Sequence, residues 1–132
     1  MKRTISFLVI TLFLSACCKT NEECQLIAAK VIRYDCDRVT FQLLTDELIG
    51  DSTWLDVNSG QSYRNVVSCF NTCEIATITR GTYSTLYVSV EKTEQSLPPV
   101  GCVQCQAIAK DPPGTKVVFT NISTTPCGIS QK

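Results

Sequence analysis

Leu86, Val88 and Val90 alternate with Tyr87, Ser89 and Glu91, separating an apolar row from a more polar one. A period of two marks a half-buried strand. Nearer the start, Leu26 to Tyr34 is a long apolar-leaning run, Asp35-Cys36-Asp37 supplies a turn, and Val39, Phe41 and Leu43 alternate with Thr40 and Gln42. Two such runs joined by a short turn predict an antiparallel hairpin. Tyr63 to Phe70 reads as a third strand, with Gln104 to Lys110 and Lys116 to Ile122 as the last two, about six in all. Between them, residues 45–62 hold Asp46, Gly50, Asp51, Asn58 and Gly60 around the single tryptophan, Trp54, and predict an irregular loop. Gly81, Pro98-Pro99 and Pro112-Pro113-Gly114 punctuate the remainder.

The chain from residue 25 is rich in valine, isoleucine, threonine and aromatics and shows no helical periodicity. The expected class is therefore all-β, a single small antiparallel barrel or a sandwich covering 25–132. A long first hairpin, a later strand entered through Arg80-Gly81-Thr82 and a final strand after Pro-Gly resemble an oligonucleotide/oligosaccharide-binding (OB-like) barrel. That resemblance bears on architecture more than on activity.

A different pattern occupies the N-terminus. Lys2 and Arg3 precede an apolar stretch from Ile5 to Leu14, the length of a signal-peptide core and well short of the roughly 20 residues a spanning helix needs. It closes on Leu14-Ser15-Ala16-Cys17, which resembles the lipobox of bacterial lipoproteins. The resemblance implies removal of residues 1–16, lipidation of Cys17, palmitate among its acyl chains, and a tether over 17–24. Two or more chains hold a protein to a bilayer stably where one does so only marginally. Cys18, not aspartate, follows the lipidated position, which under the retention rule of such lipoproteins implies the outer membrane; Glu22 and Glu23 after Lys19 loosely resemble a surface-export signal.

Composition narrows the function. Without Lys2 and Arg3 the twelve basic residues become ten against twelve acidic ones, and no basic run follows a nucleic-acid backbone, so a nucleic-acid partner is not expected. The absence of histidine removes the most frequent general base and most metalloenzyme sites, and no cofactor or enzymatic activity is expected. With Cys17 assigned to lipid, eight of the nine cysteines remain. In an oxidising compartment Cys24, Cys36, Cys69, Cys73, Cys102, Cys105 and Cys127 are disulfide candidates, and Cys18 is the one most readily left out or else paired with Cys24. Eight cysteines allow 105 pairings, and spacing does not choose among them.

Three constellations invite sharper chemistry. Cys102-Val103-Gln104-Cys105 has the spacing of redox pairs and zinc knuckles, and Cys69 with Cys73 offers a second pair, so four thiolates are available for a tetrahedral zinc site or for thiol exchange. Structural disulfides are the plainer reading in an exported protein. Asp46, Glu47, Asp51 and Asp56 surround Trp54, but without the alternate spacing of a calcium loop they read as a solvated segment, and no metal is expected. Trp54 and Tyr63 are candidates to stack on a saccharide or an envelope protein, or else to cap the core. The expectation is a lipid-anchored, non-enzymatic binding or structural module, with a thiol-redox or zinc protein as the alternative.

Overall fold

The computed structural model describes residues 25–35, 37–79, 85–94 and 109–127. The expected signal peptide and tether, with Cys17, Cys18 and Cys24, lie outside these residues, as do Cys36, Cys102, Cys105 and all but the end of the strand expected over Gln104 to Lys110. Ala109 and Lys110 are described and are irregular.

Among the described residues, seven strands and one helix follow in order: β1 (Ile27–Tyr34), β2 (Val39–Leu43), β3 (Trp54–Asp56), β4 (Gln61–Tyr63), β5 (Val66–Cys69), α1 (Thr72–Thr79), β6 (Thr85–Lys92) and β7 (Lys116–Ser123). Five strands close into a barrel in the order β1-β2-β5-β7-β6, with β1 pairing back onto β6, while β3 and β4 form a separate two-stranded sheet. A barrel forms, not a sandwich, and it is antiparallel except at β5–β7, where Ser68 and Cys69 run parallel to Lys116 and Val117.

Three expectations need correction. The segment 45–62 carries β3 and the start of β4, because Trp54 and Asp56 alternate with Leu55 across a tight turn at residues 57–60. The third strand divides at Asn65, whose φ of 58° breaks an extended run. The mainly β chain also includes a helix. α1 is rich in threonine and isoleucine, which lose rotamer freedom in a helix, and eight residues are too few to show a clear period. It is fixed instead at its start: the Asn71 carbonyl accepts the Ile75 amide at 3.3 Å, Glu74 lies in the first turn, and Ile75 is buried in the barrel core.

That core is formed by Ala29, Val39, Phe41, Leu43, Val67, Cys69, Leu86, Val88, Val117 and Phe119 with Ile75. Phe41 and Phe119 meet across it at 4.8 Å between ring centroids, tilted by 58°. Alternation sends Thr40, Val66, Ser68 and Phe70 to the opposite, outer face, yet these are buried as well. The Ser68 hydroxyl donates to the Pro113 carbonyl at 2.9 Å, and the Arg38 guanidinium lies 4.9 Å from the Phe70 ring centroid. The outer face of β2 and β5 is thus covered by the protein's own chain, which is why Val39-Thr40-Phe41 is buried without a break.

Cys69 corrects one disulfide assignment. It is a free thiol on β5, facing the apolar interior, with its sulfur 2.9 Å from Asn71 Oδ1. Burial pushes its pKa up to about 12, so it stays protonated and unreactive. Cys73 on α1 and Cys127 beyond β7 are each disulfide-bonded.

Candidate functional site

The β3–β4 hairpin is held against the barrel by one arginine, and a bulge puts that arginine in place. In β1, Val31 pairs with Phe41 but Arg33 pairs with Thr40, so Ile32 is an extra residue. Strict alternation from Ala29 through Val31 would aim Arg33 into the apolar barrel. The bulge turns it to the side of Thr40. There Arg33 Nη1 donates to Asp56 Oδ1 at 2.8 Å, Nε to Asp35 Oδ2 at 2.9 Å and Nη2 to the Lys110 carbonyl at 3.0 Å. Its guanidinium lies 5.1 Å from the Trp54 ring centroid.

The hairpin brings Asp56 and Trp54 to meet it. Trp54 pairs with Tyr63 across the two strands, their rings 6.2 Å apart, and Trp54 Nε1 donates to the Asp111 carbonyl at 2.9 Å. Gly60, at φ 72°, closes the turn through its amide to the Asp56 carbonyl at 2.7 Å. Asp56 accepts from the Ser59 hydroxyl at 2.6 Å and from the Asn58 amide at 3.3 Å. The Ser59 hydrogen bond is the largest influence on the Asp56 carboxyl and, with Asn58 and Arg33, outweighs burial to hold it below the ordinary aspartate range. Burial opposes the Arg33 charge, but its hydrogen bonds to Asp35 and Asp56 raise its pKa above the ordinary value.

The two aromatic candidates are therefore brought together, with different exposure. Trp54 is 7% exposed and spends its ring and its N–H on holding the hairpin. Tyr63 is half-buried, with its hydroxyl donating to Gln61 Oε1 at 2.6 Å. Leu55 at 52% and Val57 at 40% exposure are the residues the hairpin turns outward. Neither belongs to the candidate pair read from sequence, although the alternation Trp54-Leu55-Asp56-Val57 before Asn58-Ser59-Gly60 carries the signal.

The carboxylates of this region are distributed rather than gathered. Asp51 accepts from the Gly114 and Thr115 amides at 2.7 and 2.9 Å and from the Thr115 hydroxyl at 2.6 Å, stitching the chain before β3 to the chain before β7. Among the described residues, no group of three or more histidine, cysteine or acidic side chains is arranged to hold a metal ion. Of the zinc or redox quartet, Cys69 is buried and protonated and Cys73 is disulfide-bonded.

A second organised segment is the loop from Leu44 to Gly50, built on Asn65. That side chain accepts from the Ile49 and Gly50 amides at 2.9 and 2.8 Å and donates to the Glu47 carbonyl at 2.8 Å, with longer contacts to the Leu43 and Thr45 carbonyls at 3.4 Å. Gly50 is required by close approach, because a Cβ there would stand 2.8 Å from Val67 Cγ1 and closer still to the Val66 carbonyl oxygen.

Residues 1–17 match the sequence model described as the prokaryotic membrane lipoprotein lipid attachment site. The chain carries a lipoprotein signal. The match ends on Cys17, eight positions before the first described residue, Gln25. No curated protein and no solved structure matches the chain.

Proposed function

We propose that, once residues 1–16 are removed, lipid on Cys17 holds this chain at the outer membrane as a non-enzymatic module that binds an envelope protein through its β3–β4 hairpin. The observation that carries the reading is the way the hairpin is fixed. Arg33, Asp56, Trp54 and the Lys110 and Asp111 carbonyls lock its inner face, leaving Leu55 and Val57 presented on a rigid support. Exposed aliphatic side chains held in one geometry lose little entropy on docking. A protein partner fits better than a saccharide, since the ring of Trp54 already faces Arg33 and Tyr63. Tyr63 borders the contact.

An OB-like barrel is consistent with this reading. The five barrel strands, taken alone in chain order, lie as first-second-third-fifth-fourth, with α1 between the third and fourth. OB folds bind oligomers on the face of their second and third strands. Here the corresponding face, β2 and β5, is filled by Pro113 and neighbouring chain, and contact shifts to the hairpin that the second-to-third connection carries. Disulfides among the remaining cysteines, one of them left unpaired in a monomer, complete the proposed architecture.

Photo-crosslinking in whole cells from position 55, compared with position 94, tests the proposal. A discrete adduct from Leu55 that disappears with Val57→Asp is the expected result. Equal labelling from both positions would overturn it.

A further inference from the structure

One end of the barrel gathers four features that the hairpin does not use. β1 begins there at Ile27, two residues after Gln25, and the Leu44 amide donates to the Ala28 carbonyl at 2.7 Å, bringing the 44–50 loop beside the start of β1. Gln25 and Leu48 line the same groove, of about 460 Å³, together with Ile27 and Ile49. Leu44 and Leu48 are 51% and 50% exposed. The loop that carries them is held in shape by Asn65, so their exposure is a built feature. Two half-bare leucines on one short loop, beside the point where the anchored segment enters the fold, mark a surface facing something apolar.

We infer that this end of the barrel rests on the bilayer that holds the Cys17 lipid, with Leu44 and Leu48 entering its interfacial layer. The length of the intervening chain selects the membrane as occupant. Eight residues separate Cys17 from Gln25, a reach of at most about 28 Å when fully extended and roughly 16 Å as a relaxed coil. Arg33 lies six residues beyond Ile27 in β1, about 20 Å along the strand. Presenting the Arg33 end to the bilayer would take about 20 Å of the tether, more than its relaxed span, just to pass the barrel. The Leu44–Leu48 end needs almost none of it. Anchoring also makes the contact intramolecular, at an effective concentration in the millimolar range, so two leucines suffice without providing affinity of their own. Asp46 and Glu47, both exposed on the same loop, keep their charges in the headgroup region and limit the depth to the leucine side chains. The hairpin, clamped at the Arg33 end, is then held away from the membrane.

The test uses the processed, lipidated protein, isotopically labelled, in phosphatidylcholine nanodiscs doped with a lipid bearing a headgroup nitroxide. Amide signals of residues 26–28 and 44–49 are expected to be lost through paramagnetic broadening, while those of 55–57 persist. The double variant Leu44→Asp, Leu48→Asp, at exposed positions, should recover the 44–49 signals with the spectrum of the barrel core unchanged. Signals at 44–49 no weaker than those at 55–57, preferential loss at the hairpin, or broadening that the double variant does not relieve would each overturn the inference.

Discussion

Asn65 tests how the 44–50 loop is held, because backbone and side-chain contributions can be separated there. Its φ of 58° lies in the left-handed region, where asparagine and glycine are tolerated and alanine costs about 1 kcal/mol more. Its side chain makes three hydrogen bonds at or below 2.9 Å, two from the Ile49 and Gly50 amides and one to the Glu47 carbonyl. Each contributes about 1 kcal/mol net, and a buried partner left unpaired costs at least as much. Asn65→Ala should therefore cost about 4 kcal/mol and Asn65→Gly about 3, the difference being the backbone contribution. Set against a typical net stability of about 5–15 kcal/mol, both variants remain folded but marginal at the lower end. The assay is equilibrium urea unfolding of the mature chain with its disulfides intact. For an m-value of about 1.5 kcal/mol/M the alanine variant's midpoint falls by roughly 2 to 3 M. Amide exchange at residues 44–50 should rise in both variants more than in β6. A loss below about 1 kcal/mol for alanine would refute the side-chain contribution, and full recovery with glycine would show that φ alone mattered.

Other consequences can be checked on the same material. Arg33→Ala leaves Asp56 buried without its cation and should cost about 3–5 kcal/mol, with a red shift of Trp54 fluorescence as the hairpin lifts; Arg33→Lys should not restore it, because lysine lacks the three-way fork. The Asp56 carboxyl titrates below its unfolded value near 4, so its contribution is complete above that pH and is lost as pH falls through the lower folded value; Asp56→Asn should flatten the stability curve in that acid window, read by unfolding midpoints. Thr40 Oγ1 is buried without a hydrogen-bond partner among the described residues, and Thr40→Val should raise stability by about 1 kcal/mol in the same titration. With Cys17 lipidated and Cys69 free, seven cysteines remain. An odd number cannot pair completely within one chain, so the denatured, unreduced monomer should alkylate at two or more thiols, with Cys69 protected until unfolding.

Where alternation was unbroken, the strands could be read directly. β6 and β2 follow their apolar rows because one face of each meets the barrel core. The clamp was not legible, since the bulge at Ile32 reverses the side on which Arg33 falls and nothing in the residue order announces an extra position. The hairpin was obscured by its polar turn ending in Gly60, although its inner row is an aromatic and a carboxylate whose partners, Arg33 and the Asp111 carbonyl, come from distant parts of the chain. Cys69 was grouped with the other cysteines by spacing, while its place in β5 makes it a small apolar core residue. The attachment-site match covers only 1–17, so what the sequence declares most clearly concerns address, and the proposed contact surface emerges only when β3 and β4 are folded against the barrel.

The position of β7 sets when the barrel can close. It lies between β5 and β6, and its parallel contact joins Ser68 to Lys116, 48 residues later. Until residues 116–123 arrive, β5 and β6 each present an open edge, and the core lacks Val117 and Phe119. Local hairpins form quickly, whereas pairings of such sequence separation are slow. A chain emerging N-terminus first through a translocation pore thus stays incomplete until its last described strand is through. For a chain that its lipoprotein signal directs across a membrane, threading precedes closure, and the barrel seals only on the far side.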